Sequence, residues 1–263
     1  MGNPNLSDNC ITITDANAPA GTFPPSTCAS DSYNYSHAFA VPASGCQSHP
    51  NTASFVADTT GATGSDTVTV SVCRVAPNTG ALTIGFWQNK NGQAIITGGT
   101  ATAGVCDAGT WLRAYAPFAD LTLGSNCAKV ATYVFNVIKA AACTSTSKTC
   151  NSMLKAQMLA TALNVYFSDP ALGGNKIGAA VPLGGVHIDL ATVCVNIAAC
   201  TVFENTSSAF GGVNSLTVGA MLAYAASQSN SGGTAWYGQV KATQVLAKDA
   251  FDAINNRVAF QAS

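Results

Sequence analysis

Apolar and polar residues alternate along the first third of the chain and take helical spacing along the rest. Cys10-Ile11-Thr12-Ile13-Thr14-Asp15, Ser32-Tyr33-Asn34-Tyr35-Ser36-His37-Ala38-Phe39, Asn51-Thr52-Ala53-Ser54-Phe55-Val56-Ala57 and Thr67-Val68-Thr69-Val70-Ser71-Val72-Cys73 each alternate with a period of two, the mark of a half-buried strand. Thr and Val suit a pleated surface. Turn clusters such as Ala18-Pro19-Ala20-Gly21 and Gly61-Ala62-Thr63-Gly64-Ser65-Asp66 separate these runs. Short strands spaced this way predict a β-sandwich.

The character changes at Leu82-Thr83-Ile84-Gly85-Phe86-Trp87-Gln88-Asn89-Lys90. Beyond it, Val130, Val134, Val137, Ile138 and Ala141 share one face of a helix over residues 127–143, with Ser125 or Asn126 as cap. A second helix, capped by Thr149, presents Met153, Leu154, Met158, Ala162 and Val165 and stops before Asp169-Pro170. Asp189 is expected to start a short helix toward Cys194. Residues 216–226 form another, with Thr217 as cap, and residues 236–258 the last, with Val240, Ala247, Phe251, Ile254 and Val258 inward. The expectation is therefore two domains, β at residues 1–78 and disulfide-clipped α-helical at 79–263, the latter with four or five helices.

Composition sharpens this picture. Only 9% of the 263 residues are charged, and Glu204 is the single Glu, against a usual charged share of about 25%. Solubility then rests on Ser, Thr, Asn and Gly, whose surfaces desolvate at lower cost than ions and so favour self-association. A net charge of −1 with scattered Lys and Arg offers no basic stripe for nucleic acid. No apolar run reaches the roughly 20 residues of a membrane span.

Ten cysteines, an even number with no Cys-x-x-Cys pair, predict disulfides in an oxidising compartment rather than zinc or thiol redox chemistry. Cys143 and Cys150 bracket a short polar loop, and Cys194 and Cys200 form a second local clip. Nearest-neighbour logic adds Cys106 with Cys127, Cys46 with Cys73 and Cys10 with Cys28. Met1-Gly2-Asn3-Pro4 lacks the features of a signal peptide, so the expectation is a mature or trimmed chain.

The run Ile11-Thr12-Ile13-Thr14-Asp15 before a Pro loop, Tyr33-Asn34-Tyr35, His49-Pro50-Asn51-Thr52-Ala53 and Asp66-Thr67-Val68-Thr69-Val70 resemble the immunoglobulin-like repeats of bacterial secreted and cell-surface proteins. The resemblance covers roughly residues 8–75. It implies an Ig-like β-sandwich, and in such repeats further strands precede the Thr-Ile-Thr-Asp strand. Only nine residues precede Cys10 here, so the sandwich is expected to lack its first strands. Three readings stay open: a chain start inside the domain, a strand donated by a neighbouring subunit, or cover by the helical half. The seam, Gly85 to Gln93, resembles a Gly-aromatic-Trp segment found near the carboxyl ends of secreted bacterial proteins. With Gly109-Thr110-Trp111-Leu112 and Trp236-Tyr237-Gly238, it reads as a secreted helical module. That likeness implies location and no chemistry.

No catalytic pattern stands out. His187-Ile188-Asp189 could place two ligands on one strand face, but a metal site needs three or four. Serines abound without a Gly-x-Ser-x-Gly elbow, and Asp120, Asp169 and Asp189 make no evident carboxylate pair. Gly173-Gly174-Asn175-Lys176 and Gly211-Gly212 lack phosphate-loop spacing and read as turns. Trp87, Asn89, Lys90, Trp111 and Trp236 are the candidates for a domain junction or a glycan-binding face. The expectation is an extracellular structural protein of a surface or matrix assembly, partnered by itself through strand sharing, with no cofactor and no metal. The alternative is a secreted carbohydrate-binding or hydrolytic protein with its site in the helical half.

Overall fold

The computed structural model describes residues 10–40, 42, 46–73 and 79–259; the side chains of Cys46 and Cys73 fall outside that description. The chain divides into two compact units, Met1–Arg74 and Val75–Ser263.

The first unit is an antiparallel sheet of β1 (Ile11–Asp15), β2 (Cys46–Ala57) and β3 (Thr63–Cys73), in the order β1-β2-β3. Ile13 lies opposite Phe55, Phe55 opposite Gly64, and His49 opposite Val70. Because side chains alternate across a strand, this register sorts the residues by chemistry. One face carries Ile11, Ile13, Phe55, Val68 and Val70; the other is almost wholly Ser and Thr. Gly64 is the residue that fits beneath the Phe55 ring, since a Cβ there would sit 2.4 Å from a ring carbon.

One expectation for this unit needs correction. Ser32–Phe39 forms no strand. Its side chains bind separately to the sheet's apolar face instead. The Tyr35 hydroxyl donates to Asp15 Oδ2 at 2.5 Å and accepts from Asn51 Nδ2 at 2.8 Å, while Phe39 stacks on His49 at 4.3 Å. Among the described residues there is consequently one sheet, not the two layers of a sandwich. Among the described residues of this unit, Ala57 is the only buried one.

The second unit is mainly helical. It comprises α1 (Ile84–Gln88), α2 (Lys90–Thr97), α3 (Asp107–Leu112), α4 (Cys127–Lys139), α5 (Asn151–Ser168), α6 (Val218–Ser227) and α7 (Lys241–Asn255). Short antiparallel pairs lie between them: β4 (Ala101–Thr102) with β5 (Val105–Cys106), β7 (Val193–Cys194) with β8 (Phe203–Glu204), and β6 (His187–Asp189) with β9 (Ser215–Thr217), which brackets the β7–β8 pair.

Helix α5 is the axis of this unit. Every residue from Leu154 to Ser168 is buried, so the one-sided face expected from Leu154, Met158, Ala162 and Val165 is instead a helix enclosed all round. Lys155, Gln157, Thr161, Asn164 and Ser168, buried along it, are all hydrogen-bonded, while Asn151 Oδ1 at its start has no hydrogen-bond partner. Asn164 is the hub: its Oδ1 accepts from Leu82 N (2.9 Å) and Trp87 Nε1 (3.1 Å), and its Nδ2 donates to Leu82 O and Asn255 Oδ1 (both 2.9 Å). Thr161 and Gln157 extend the network to Asn255 and Asp252 on α7. A buried network of this kind holds only when each member is satisfied.

The caps mostly follow the sequence. Asn126 caps α4 through Lys129 N at 3.0 Å, and Thr217 caps α6 through Ala220 N at 3.1 Å. Thr149 does not cap α5; the N-cap is Cys150, whose own N–H donates to Gln244 Oε1 at 2.6 Å. Asp189 starts no helix. It ends β6, and its carboxylate accepts from Ala191 N (2.9 Å) and Thr192 Oγ1 (2.6 Å), spending its capping capacity on a turn. Val240 stands at the N-cap of α7 and is 54% exposed, so it does not face inward.

Among the described residues, four disulfides close local loops: Cys10–Cys28, Cys106–Cys127, Cys143–Cys150 and Cys194–Cys200. The backbone places Cys46 opposite Cys73, while the proposed bond between them lies outside the described residues. The disulfides are compatible with an extracellular location. No helix among the described residues is long and apolar enough to cross a membrane.

Candidate functional site

The seam motif is explained by helix chemistry. Thr83 Oγ1 accepts from Phe86 N at 3.2 Å and caps α1, and Asn89 Oδ1 accepts from Asn91 N (2.8 Å) and Gly92 N to cap α2. The two helices meet so closely that a Cβ on Gly92 would lie 2.3 Å from Phe86 O. Gln93 Nε2 closes the corner on Trp87 O at 2.8 Å. Gly-Phe-Trp-Gln-Asn-Lys-Asn-Gly-Gln therefore encodes a tight helix–helix corner.

This corner decides where the candidate residues lie. Trp87 and Trp236 are 0% and 1% exposed in the core of the helical unit, so neither offers a ring face to a ligand. Trp236 Nε1 is held by Gly233 O at 2.8 Å. Asn89 is exposed but occupied as a cap, and Lys90 is exposed beside it. Trp111 alone reaches an opening. From Trp87 the rings run Phe167, Tyr166, Trp111, Tyr115, with centroids 5.0–5.6 Å apart. That spacing is normal for edge and tilted aromatic pairs.

Trp111 lines a cleft of about 630 Å³ with Thr102, Asp107, Thr110, Tyr166 and Leu172. Asp107 Oδ1 accepts from Thr102 N at 3.1 Å, which orients the carboxylate at the mouth. Burial raises the Tyr166 hydroxyl above the ordinary phenol range, so it stays a neutral donor. Sequence reasoning found Trp111 and missed Asp107, Thr102 and Tyr166. The Asp107-x-x-Thr110-Trp111 spacing on α3 was the available signal.

A second polar recess of about 470 Å³ is lined by Gln157, Lys248, Asp252 and Asn256. Burial raises the Asp252 carboxyl above its usual range, partly offset by Lys248. Asp120, in turn, accepts from Lys155 Nζ at 2.7 Å and from the Tyr133 hydroxyl at 2.6 Å. Burial, and next the bond to Asp120, push the Tyr133 hydroxyl far above the ordinary phenol range, so it stays a neutral donor to that carboxylate. Asp169 begins the turn after α5, accepting from Ala171 N at 2.8 Å. His187 Nδ1 reaches Ser215 Oγ at 3.4 Å, and among the described residues no three His, Cys, Asp or Glu side chains converge.

The β unit presents a different kind of surface. Val68, Val70 and Phe55 are 62%, 41% and 38% exposed on the sheet's apolar face. A groove of about 390 Å³ beside them is lined by Ile11, Ile13, Ala53, Phe55 and Gly64. Asp15 is held ionised at the border of this face: the Tyr35 hydroxyl and then the Asn17 N–H lower its carboxyl below the usual range.

The outer side of β3 pairs with no strand among the described residues. Its eleven residues contain no Lys, Arg or Pro and one acid, Asp66. Natural edge strands are ordinarily blunted by such residues. No family model, curated protein or solved structure matches this chain.

Proposed function

We propose that this chain is an extracellular structural protein of a surface or matrix assembly, joined to its neighbours through the β unit. One observation carries the reading: the described part of that unit buries a single residue, Ala57, while Phe55, Val68 and Val70 of its apolar face are exposed and the outer edge of β3 pairs with no described strand. Exposed apolar residues gathered on one face mark interaction sites, and strand addition at an open edge supplies backbone hydrogen bonds together with side-chain pockets. On this reading a neighbour's strand extends the sheet, as the resemblance of residues 8–75 to Ig-like surface repeats would imply. The disulfides and the near-absence of charge suit secretion and lateral packing.

The test is sedimentation across concentration for the natural chain and for Val68→Lys combined with Val70→Lys. Both positions are exposed, so the fold tolerates the change. The natural chain associates as concentration rises, and the double variant needs at least tenfold more protein to reach the same degree of association. A natural chain that stays monomeric at millimolar concentration, with its β unit folded, overturns the reading.

The Trp111 cleft favours a second reading, the binding of a neutral glycan. A half-buried indole beside a carboxylate and two Thr hydroxyls offers both a stacking face and hydrogen bonds to sugar hydroxyls. A glycan-array signal lost in Trp111→Ala would favour it. Trp87→Ala would report on folding instead.

A further inference from the structure

We propose that two copies of this chain pair through their β3 strands, antiparallel about a two-fold axis, into one six-stranded sheet. The inference rests on the assembly reading above and names the partner and its geometry.

The two edges of the sheet are unlike. The outer edge of β1 is already occupied: Ile11 N donates to Thr27 O at 2.9 Å and Thr27 N to Ile11 O at 2.8 Å. The Cys10–Cys28 disulfide fixes that contact, and Thr12 Oγ1 donates to Pro25 O at 3.1 Å alongside it. β1 is also only five residues long, whereas β3 runs for eleven with no bridge on its outer side among the described residues. Within the described sheet, the open edge available to a second copy's β3 is therefore β3 itself. Like pairing with like is isologous and closes after two.

The side chains of β3 are self-complementary in that arrangement. With Thr69 on the two-fold axis, Val68 lies opposite Val70 of the second copy, and Thr67 lies opposite Ser71. Val meets Val on the apolar face and hydroxyl meets hydroxyl on the polar face, as cross-strand pairing favours. Asp66 falls opposite Val72, so no two acids oppose each other. Placing Val68 on the axis instead sets Asp66 against Val70 on the apolar face. The Thr69 register makes two Val–Val pairs where that one makes a single pair, and it joins the two exposed valine stripes into one continuous apolar stripe.

Residues directly opposed in an antiparallel pair have Cα atoms about 4.5–5.5 Å apart, within the span a disulfide bridges. Thr69→Cys in the full chain is therefore the direct test, with Thr14→Cys on exposed β1 as control. Under air oxidation, Thr69→Cys gives a linked dimer at least tenfold faster than the control, and light scattering of the natural chain plateaus at twice the chain mass. Suppose the natural chain associates, the double lysine variant abolishes association, and yet Thr69→Cys cross-links no faster than the control. The edge then carries assembly without two-fold pairing; this inference falls and the assembly reading stands. A natural chain that remains monomeric at millimolar concentration overturns both.

Discussion

The helical unit hides polar groups in its centre, whereas the β unit leaves apolar groups bare on its surface. In the first, Gln157, Thr161, Asn164 and Asn255 are buried and fully bonded to one another and to the seam. In the second, Phe55, Val68 and Val70 lie open to solvent, and among the described residues Ala57 alone is buried. A small unit that buries so little apolar surface sits below the size economy of an independent domain and leans on covalent staples or on association. The contrast teaches that one chain can satisfy buried polar groups within one unit while exposing apolar side chains on another, the surface that the proposed association would cover.

The largest break in this contrast comes from the hub. Asn164→Ala leaves Trp87 Nε1, both backbone groups of Leu82 and part of Asn255 without a partner. The expected loss is about 3–5 kcal/mol, from several buried groups unsatisfied together. Calorimetry should show the helical transition falling by roughly 10 °C, with association through β3 unchanged. A smaller effect tests the other side. Cys10→Ser with Cys28→Ser removes a staple worth roughly 3 kcal/mol by chain entropy. It should unfold the β unit in dilute solution, seen as lost strand signal in circular dichroism, and much less so at concentrations where chains associate.

The smallest effect concerns Asp252. Burial raises its carboxyl in the folded state. Its contribution is therefore complete below the ordinary carboxylate range and is lost as pH rises through the elevated folded value. Asp252→Asn keeps a neutral acceptor for Gln157 Nε2. It should raise Tm by about 1–2 °C at neutral pH and leave it unchanged in acid, as a pH series of melts would record.

Much of the helical body was legible because periodicity and caps act locally. Val130, Val134 and Ile138 marked the buried face of α4, and Asn126 and Thr217 marked two helix starts. The central place of α5 was not legible. The apolar positions Leu154, Met158, Ala162 and Val165 predicted a single buried face, and only distant residues such as Leu82 and Asn255 make Gln157, Thr161 and Asn164 part of the interior as well. Trp87 read as a junction residue for a similar reason, since its burial depends on Asn164 and Phe167 some eighty residues away. Ser32–Phe39 alternates as a strand does, yet its Tyr and Phe side chains bind Asp15, Asn51 and His49 one at a time, without a ladder. For the candidate site, Trp111 was visible as an aromatic, while its cleft depends on Tyr166 from another helix. The bare edge of β3 was legible in part: the Thr-Val alternation predicted the strand, and only the sheet order showed that it stands outermost.

Hydrogen exchange of Thr63–Cys73 in the natural chain, followed from dilute to concentrated solution, tests the central claim most directly. The account predicts that the half of the β3 amides pointing away from β2 exchange freely when dilute and slow by at least tenfold as copies associate, while α5 is protected equally throughout. Equal exchange of those amides at every concentration, in chains shown to be associated, would contradict it.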